Sequence, residues 1–247
     1  MSAVFFSDVH LGLGERNQEK AKENRLLGFL DYVFPETEQL FIVGDLFDFW
    51  FDYKTVIPRG FHRTLTALQR YTDAGKRVHY LVGNHDCWMG DFFQSEIGAL
   101  VYRKPFMVTI HEKKVFIHHG DGLAENDIGY RLIKPILRNP LAVRLYRWVH
   151  PDIGVWLARG TSRSSREYTT QKHYGEEQGM IRFAEKLIGE GMDIVIMGHH
   201  HKPSCVNLGT GMYVNLGDWI TYNTYGVMNG GALTLKTWDA QQEPAHG

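Results

Sequence analysis

Short runs of apolar, β-branched or aromatic residues recur along the chain, and each closes on a cluster of polar side chains. Ala3 to Asp8 (AVFFSD), Leu40 to Asp45 (LFIVGD) and Arg77 to Asn84 (RVHYLVGN) read as buried strands. Between them, Gln18 to Phe34 and Gly60 to Ala74 carry apolar residues at helical spacing. Such alternation predicts right-handed crossovers and a parallel sheet.

From Leu100 the pattern changes. VYRKPFMVTIHEKKVFIHHGD predicts a hairpin turning at Glu112 to Lys114. A helical segment is predicted over Asp127 to Arg159, broken by Pro140 and Pro151. MDIVIMGHHH returns to strand and ends at Gly198, after which short strands alternate with Gly and Asn turns. The expectation is an α/β fold: two sheets face to face, helices outside, and a helical insertion.

Composition narrows the class. The 247 residues are 43% hydrophobic and 22% charged, as in an ordinary globular chain with a sizeable core. A net charge of −1 offers no overall field for nucleic acid, so no nucleic-acid partner is expected. Cys87 and Cys205 make no disulfide framework and fit a reducing compartment. MSAVFFSDVH has no basic leader region, and no stretch approaches the ~20 apolar residues of a membrane span. A cytoplasmic chain is expected.

The polar clusters carry the chemistry. Asp8 and His10 follow the first strand, Asp45 and Asp48 the second, and Asn84, His85 and Asp86 the third. His119 follows a later strand, and His199 and His201 the last long one. Strand ends in α/β sheets converge on one edge, where ligands bind. In extended chain, residues i and i+2 point the same way, which pairs Asp8 with His10 and His199 with His201. His118 and His200 then point away. The set Asp8, His10, Asp45, Asn84, His119, His199 and His201 exceeds one tetrahedral zinc and lacks the thiolates of a structural site. It suits two neighbouring divalent cations sharing one carboxylate, with manganese, iron or zinc favoured by the mixed oxygen and nitrogen donors.

The motifs DVH, GDLFD, GNHD, the isolated His119 and GHHH, in this order, resemble the five blocks of calcineurin-like metallophosphoesterases over Val4 to His201. That resemblance implies a four-layer α/β/β/α sandwich. It puts Asp8, His10, Asp45 and His201 on one metal ion and Asp45, Asn84, His119 and His199 on the other, with Asp45 bridging. It implies that His85 assists the leaving group and that Asp48 orients His85. Asp86 is expected to be a hydrogen-bond acceptor behind the site or a turn residue.

Between His119 and His199, the stretch from Ile128 to Arg166 carries eight basic residues against the single acidic Asp152. Leu141, Leu145, Trp148 and Val149 are interleaved at helical spacing. A basic, apolar cap over about residues 123–170 of a single domain is expected, meeting an anionic membrane surface and holding acyl chains. SDVHLG, GDLFDFWF, HGDGLAENDIGY, GHHHKP and VNLGDW are similar to the UDP-2,3-diacylglucosamine hydrolases. Those enzymes cleave the pyrophosphate of a diacylated UDP-sugar in lipid A synthesis, use manganese, and work at the cytoplasmic membrane face. The resemblance implies substrate contacts from Asn84, His85 and His199, and from Asp127, Ser162, Arg163 and Arg166 in the insertion. One departure is GNHD, where the best-known members carry GNRD. The alternatives are a soluble metallophosphoesterase acting on nucleotides, other phosphodiesters or phosphoproteins, and a non-catalytic scaffold. The long apolar cap argues against the first, and the complete ligand set argues against the second.

Overall fold

The computed structural model describes residues 2–123, 135, 139–154 and 176–239. The elements, in chain order, are β1 (Ser2–Phe6), α1 (Arg16–Val33), β2 (Thr37–Val43), α2 (His62–Asp73), β3 (Arg77–Leu81), α3 (Phe92–Ser95), β4 (Leu100–Tyr102), β5 (Phe106–Ile110) and β6 (Lys113–His118). They continue with α4 (Pro140–Tyr146), α5 (Glu176–Gly189), β7 (Ile194–Met197), β8 (Ser204–Leu208), β9 (Gly211–Asn215), β10 (Thr224–Asn229) and β11 (Ala232–Thr237).

The strands form two sheets, ordered β11-β10-β1-β2-β3-β4 and β5-β6-β7-β9-β8. The pairs β1–β2, β2–β3 and β3–β4 are parallel, as are β6–β7 and β7–β9. Strand alternation sorts the side chains into layers. Ala3 and Phe5 of β1 join Phe41, Leu81, Ile117, Ile194 and Val214 in the core between the sheets. Val4 and Phe6 instead meet Leu26, Phe29 and Leu30 of α1 and Leu68 and Tyr71 of α2. On the far side, Val195 and Met197 pack against Met180, Ala184 and Ile188 of α5. The result is helix, sheet, sheet, helix, as the residue pattern predicts.

One sequence expectation needs correction. The β5–β6 turn lies at His111 and Glu112, both with positive φ (47° and 65°), and Lys113 already begins β6. A two-residue turn matches the strand twist and displaces the predicted tip. Pro140 marks the expected break: Asn139 is extended and caps α4 by accepting from the Leu141 N–H at 2.8 Å, and the proline opens that helix. Proline at the first helical position loses no intrahelical bond. Among the described residues, no helix is long and apolar enough to cross a membrane. The expected cap contacts Asp127, Ser162, Arg163 and Arg166 lie outside the described residues.

Candidate metal centre

β1, β2, β3, β6 and β7 all end on the same edge of the sandwich, and the chain leaving each one delivers a candidate ligand. Asp8 and His10 do meet, at 3.7 Å, but strand alternation is not the cause, and His199 and His201 fall into different donor groups. β1 stops at Phe6 and β7 at Met197, short of the ligands. Asp8, His10, Asp45, His199 and His201 instead lie in tight loops with left-handed φ of 55°, 49°, 53°, 68° and 62°. Each such residue costs about 1–2 kcal/mol of backbone strain, offset here by surrounding bonds. Asp8 N–H donates to Gly44 O at 3.1 Å, His10 N–H to Asp45 O at 3.0 Å, and Trp219 N–H to Asp8 O at 3.1 Å.

Glycines make room for the carboxylates. A Cβ on Gly83 would fall onto Asp45 Oδ1, and one on Gly198 onto Asp8 Oδ2. The glycines of GNHD and GHHH are therefore steric requirements of the site.

Among the described residues three donor groups result: one joins His10, Asp48 and His85, and two gather the candidate ligands. Asp8, His10 and His201 offer ligand atoms within 4.8 Å of one another, and so do Asp45, His119 and His199. Asp8 Oδ1 is 3.7 Å from His10 Nε2 and 3.5 Å from His201 Nε2, and it is buried with no hydrogen-bond partner among the described residues. Its other oxygen, Oδ2, accepts from the His199 N–H at 2.9 Å. Asp45 Oδ2 faces both clusters, 3.7 Å from His10 Nε2 and 3.2 Å from His119 Nε2, while Oδ1 accepts from the His85 N–H at 2.9 Å.

The donor chemistry fits divalent cations. His119 Nδ1–H donates to Val43 O at 2.9 Å, which fixes the tautomer and turns the Nε2 lone pair toward the site. That nitrogen then faces two oxygens, Asn84 Oδ1 at 3.0 Å and Asp45 Oδ2 at 3.2 Å. Three lone pairs at such distances call for a proton or a cation between them. The electrostatics agree. Burial works against charge on His119 and His10, but Asp45 beside the first, and Asp48 and Asp8 beside the second, push these imidazoles up to about 10 and about 9. Burial raises Asp8 and Asp45, yet the neighbouring histidines outweigh it and hold both carboxyls below their usual range. A site that demands positive charge this strongly exchanges its protons for metal.

Behind the ligands stand residues that the sequence did not single out. Asp218 Oδ2 lies 3.2 Å from His201 Nδ1, and its Oδ1 accepts from the N–H groups of Ile220, Thr221 and Tyr222. Asn215 donates to Gly198 O at 2.8 Å and accepts from the Gly217 N–H at 3.1 Å. The only sequence signal for either is their place in VNLGDW. Asp86 is fully buried and accepts from Gly83 N–H, Leu46 N–H and the Tyr80 hydroxyl, which makes it the hydrogen-bond acceptor expected. Its carboxyl is pushed up to about 7 by burial and by the charge of Asp45. His118 accepts from the Gly120 N–H and packs near Phe183 of α5, away from the centre.

His85 sits at the rim. Its side chain is 14% exposed, whereas that of Asp48 is 3% exposed. Asp48 reaches two histidines at once, with Oδ1 3.6 Å from His85 Nδ1 and 3.5 Å from His10 Nδ1. Burial lowers the His85 imidazole below its usual range despite the nearby carboxylates.

A model of the calcineurin-like phosphoesterase family matches residues 1–203. A UDP-2,3-diacylglucosamine hydrolase of Porphyromonas gingivalis is 35% identical, over 96% of this chain and 98% of its own length. Enzymes of the same name from Ectopseudomonas mendocina and Nitrosococcus oceani are 30% and 27% identical, over 87% and 89% of this chain and 89% and 88% of their own.

Proposed function

Because the chain belongs to the calcineurin-like phosphoesterase family, we propose that its edge of convergent donors hydrolyses the pyrophosphate of UDP-2,3-diacylglucosamine. The products are UMP and 2,3-diacylglucosamine 1-phosphate, within lipid A synthesis. The observation that carries the chemistry is the position of Asp45, one oxygen of which faces both donor clusters. The substrate follows from the hydrolases that this chain resembles along nearly its whole length.

In this reading Asp8, His10, Asp45 and His201 hold one cation, and Asp45, Asn84, His119 and His199 the other, with manganese as the metal. When bound, the ions supply a nucleophile from water at neutral pH and offset the charge of the pyrophosphate. The remaining work falls to the chain. His85 Nδ1–H donates to Asp48 O at 3.0 Å, which leaves Nε2 as the nitrogen that exchanges a proton with substrate. Burial favours the neutral form of the free imidazole. An arriving pyrophosphate brings negative charge and favours the protonated ring that a general acid needs.

Residues 123–170 form the cap in this proposal, and the described part supports a lipid-facing role. Leu141, Leu145 and Trp148 are 63%, 62% and 87% exposed, a costly display for a surface that meets only water. Arg144 and Arg147 are exposed beside them. Apolar side chains flanked by arginines suit the cytoplasmic face of an anionic membrane. Asp127, Ser162, Arg163 and Arg166 would contact the substrate from the same cap.

The test is an assay of the purified, chelator-stripped protein with UDP-2,3-diacylglucosamine, reading UMP release with and without added Mn²⁺. Metal-dependent UMP release is expected. Hydrolysis of a small soluble phosphodiester with none of the lipid substrate would overturn the assignment.

A further inference from the structure

The first two turns of α1 carry an acid and a base that both bond to one loop. Glu19 accepts from the Gly12 N–H at 2.6 Å through one carboxylate oxygen and from the Gly14 N–H at 2.7 Å through the other. Lys22, one turn along the helix, lies 3.0 Å from Glu19 Oε1, and its ammonium donates to the carbonyl oxygen of His10 at 2.5 Å. Lys22 is only 8% exposed.

That arrangement is hard to explain by stability alone. Removing an ammonium from water is expensive, and a buried ion pair often adds no more stability than apolar residues of the same volume. The pair does, however, span the segment His10 to Gly14. Its first residue, His10, holds a strained left-handed φ of 49°, and its two buried ring nitrogens face Asp48 at 3.5 Å and Asp8 at 3.7 Å, with no hydrogen-bond partner among the described residues. The backbone of His10 is fixed at its N–H by Asp45 O and at its carbonyl by Lys22 and by the Leu13 N–H. The ring orientation therefore depends on a peptide plane that Lys22 holds from behind.

We infer that Glu19 and Lys22 are positioning residues for His10, acting through its backbone carbonyl to set one of the two metal subsites. This rests on the two-ion reading given under Proposed function. The clamp's bonds to Gly12, Gly14 and the His10 carbonyl reach the subsite of Asp8, His10 and His201. Outer residues of this kind typically change metal affinity by about 10- to 100-fold.

The experiment is a Mn²⁺ titration of the chelator-stripped full chain, followed by the electron paramagnetic resonance signal of free Mn²⁺, with melting of the stripped protein measured in parallel. Wild type taking up two equivalents validates the reading beneath the inference, and a single equivalent overturns both. In Lys22→Met, one equivalent should weaken by about 10- to 100-fold while the other keeps its affinity. Lys22→Arg, which keeps charge and reach, should restore most of the loss. If Lys22→Met does not fold, Glu19→Gln gives the same test, since it removes the charge that holds Lys22 and keeps the volume. Wild-type affinity for both ions in the folded variant, or equal weakening of both together with a lowered melting temperature, would overturn the assignment.

Discussion

The Nδ1 atom of His85 lies 3.0 Å from the backbone carbonyl oxygen of Asp48 and 3.6 Å from its carboxylate. The same carboxylate is 3.5 Å from Nδ1 of His10. One buried aspartate thus stands behind both a candidate ligand and the candidate general acid. Removing the two partners should have different consequences. His85→Ala should lower kcat by about 10²- to 10⁴-fold, the range of general acid–base catalysis, and keep its metal. Asp48→Asn should lower kcat and also weaken metal binding, because it releases His10. Steady-state kinetics together with metal analysis of the purified variants separates the two. A metal-free His85→Ala protein would make His85 a ligand.

Asp45 has no substitute for a shared oxygen. Asp45→Ala should abolish activity and strip both ions, whereas His201→Ala should affect one. Metal analysis by mass spectrometry after gel filtration reads the stoichiometry directly. Two tightly retained ions in Asp45→Ala would refute the shared-ligand geometry.

The cap should govern lipid recognition and leave the chemistry alone. Leu145→Asp and Trp148→Asp place a charge where acyl chains are proposed to lie, removing burial worth about 1.5–3 kcal/mol per side chain. KM for the diacylated substrate should rise, and hydrolysis of a small soluble phosphodiester should change little. Unchanged lipid KM in both variants would leave the cap without a lipid role.

His79 should make stability depend on pH well away from the metal centre. It stacks on Phe41 with ring centres 4.2 Å apart, and its buried Nε2 has no hydrogen-bond partner among the described residues. Burial, aided by Arg77, lowers its pKa from 6.5 to about 4. The fold therefore holds the neutral ring, while the unfolded chain takes up a proton near pH 6.5. This contribution is present above pH 6.5 and is lost as pH falls toward 4, an effect on the order of 3 kcal/mol. Urea unfolding of metal-stripped protein at pH 7.5 and pH 5 should show a smaller acid loss in His79→Phe than in wild type. Equal losses would clear His79 of the effect.

How far the sequence reached can be argued from particular residues. The layers were legible because period-2 alternation in Ala3 to Phe6 and helical spacing in Leu26 to Val33 report burial directly. The seven candidate ligands were legible because buried polar side chains at strand ends are costly unless used. The route by which they meet was not. Left-handed backbone at Asp8, His10, His199 and His201 depends on hydrogen bonds from distant segments, such as Trp219 to Asp8, that no local pattern encodes. Asp218 and Lys22 were missed for the same reason: an aspartate in a turn and a lysine on a helix look like solvated surface until the tertiary fold buries them. The hairpin tip slipped because His111 and Glu112 are not the Asn-Gly pair that marks such a turn.

The donors come from opposite sides of the sandwich. Asp8, Asp45 and Asn84 leave strands of the first sheet, and His119, His199 and His201 leave strands of the second. A cation shared among them is a cross-link between two halves whose common core is apolar, built from side chains such as Phe5 and Ile196. The unfolded chain, with Asp8 and His201 at opposite ends of the ligand set, has no comparable site, so metal binds the folded state selectively. At a concentration of a hundred times the dissociation constant this adds about 2.7 kcal/mol to the folding free energy. Metal scarcity in the cell would then thin the population of folded protein as well as silence the molecules that remain.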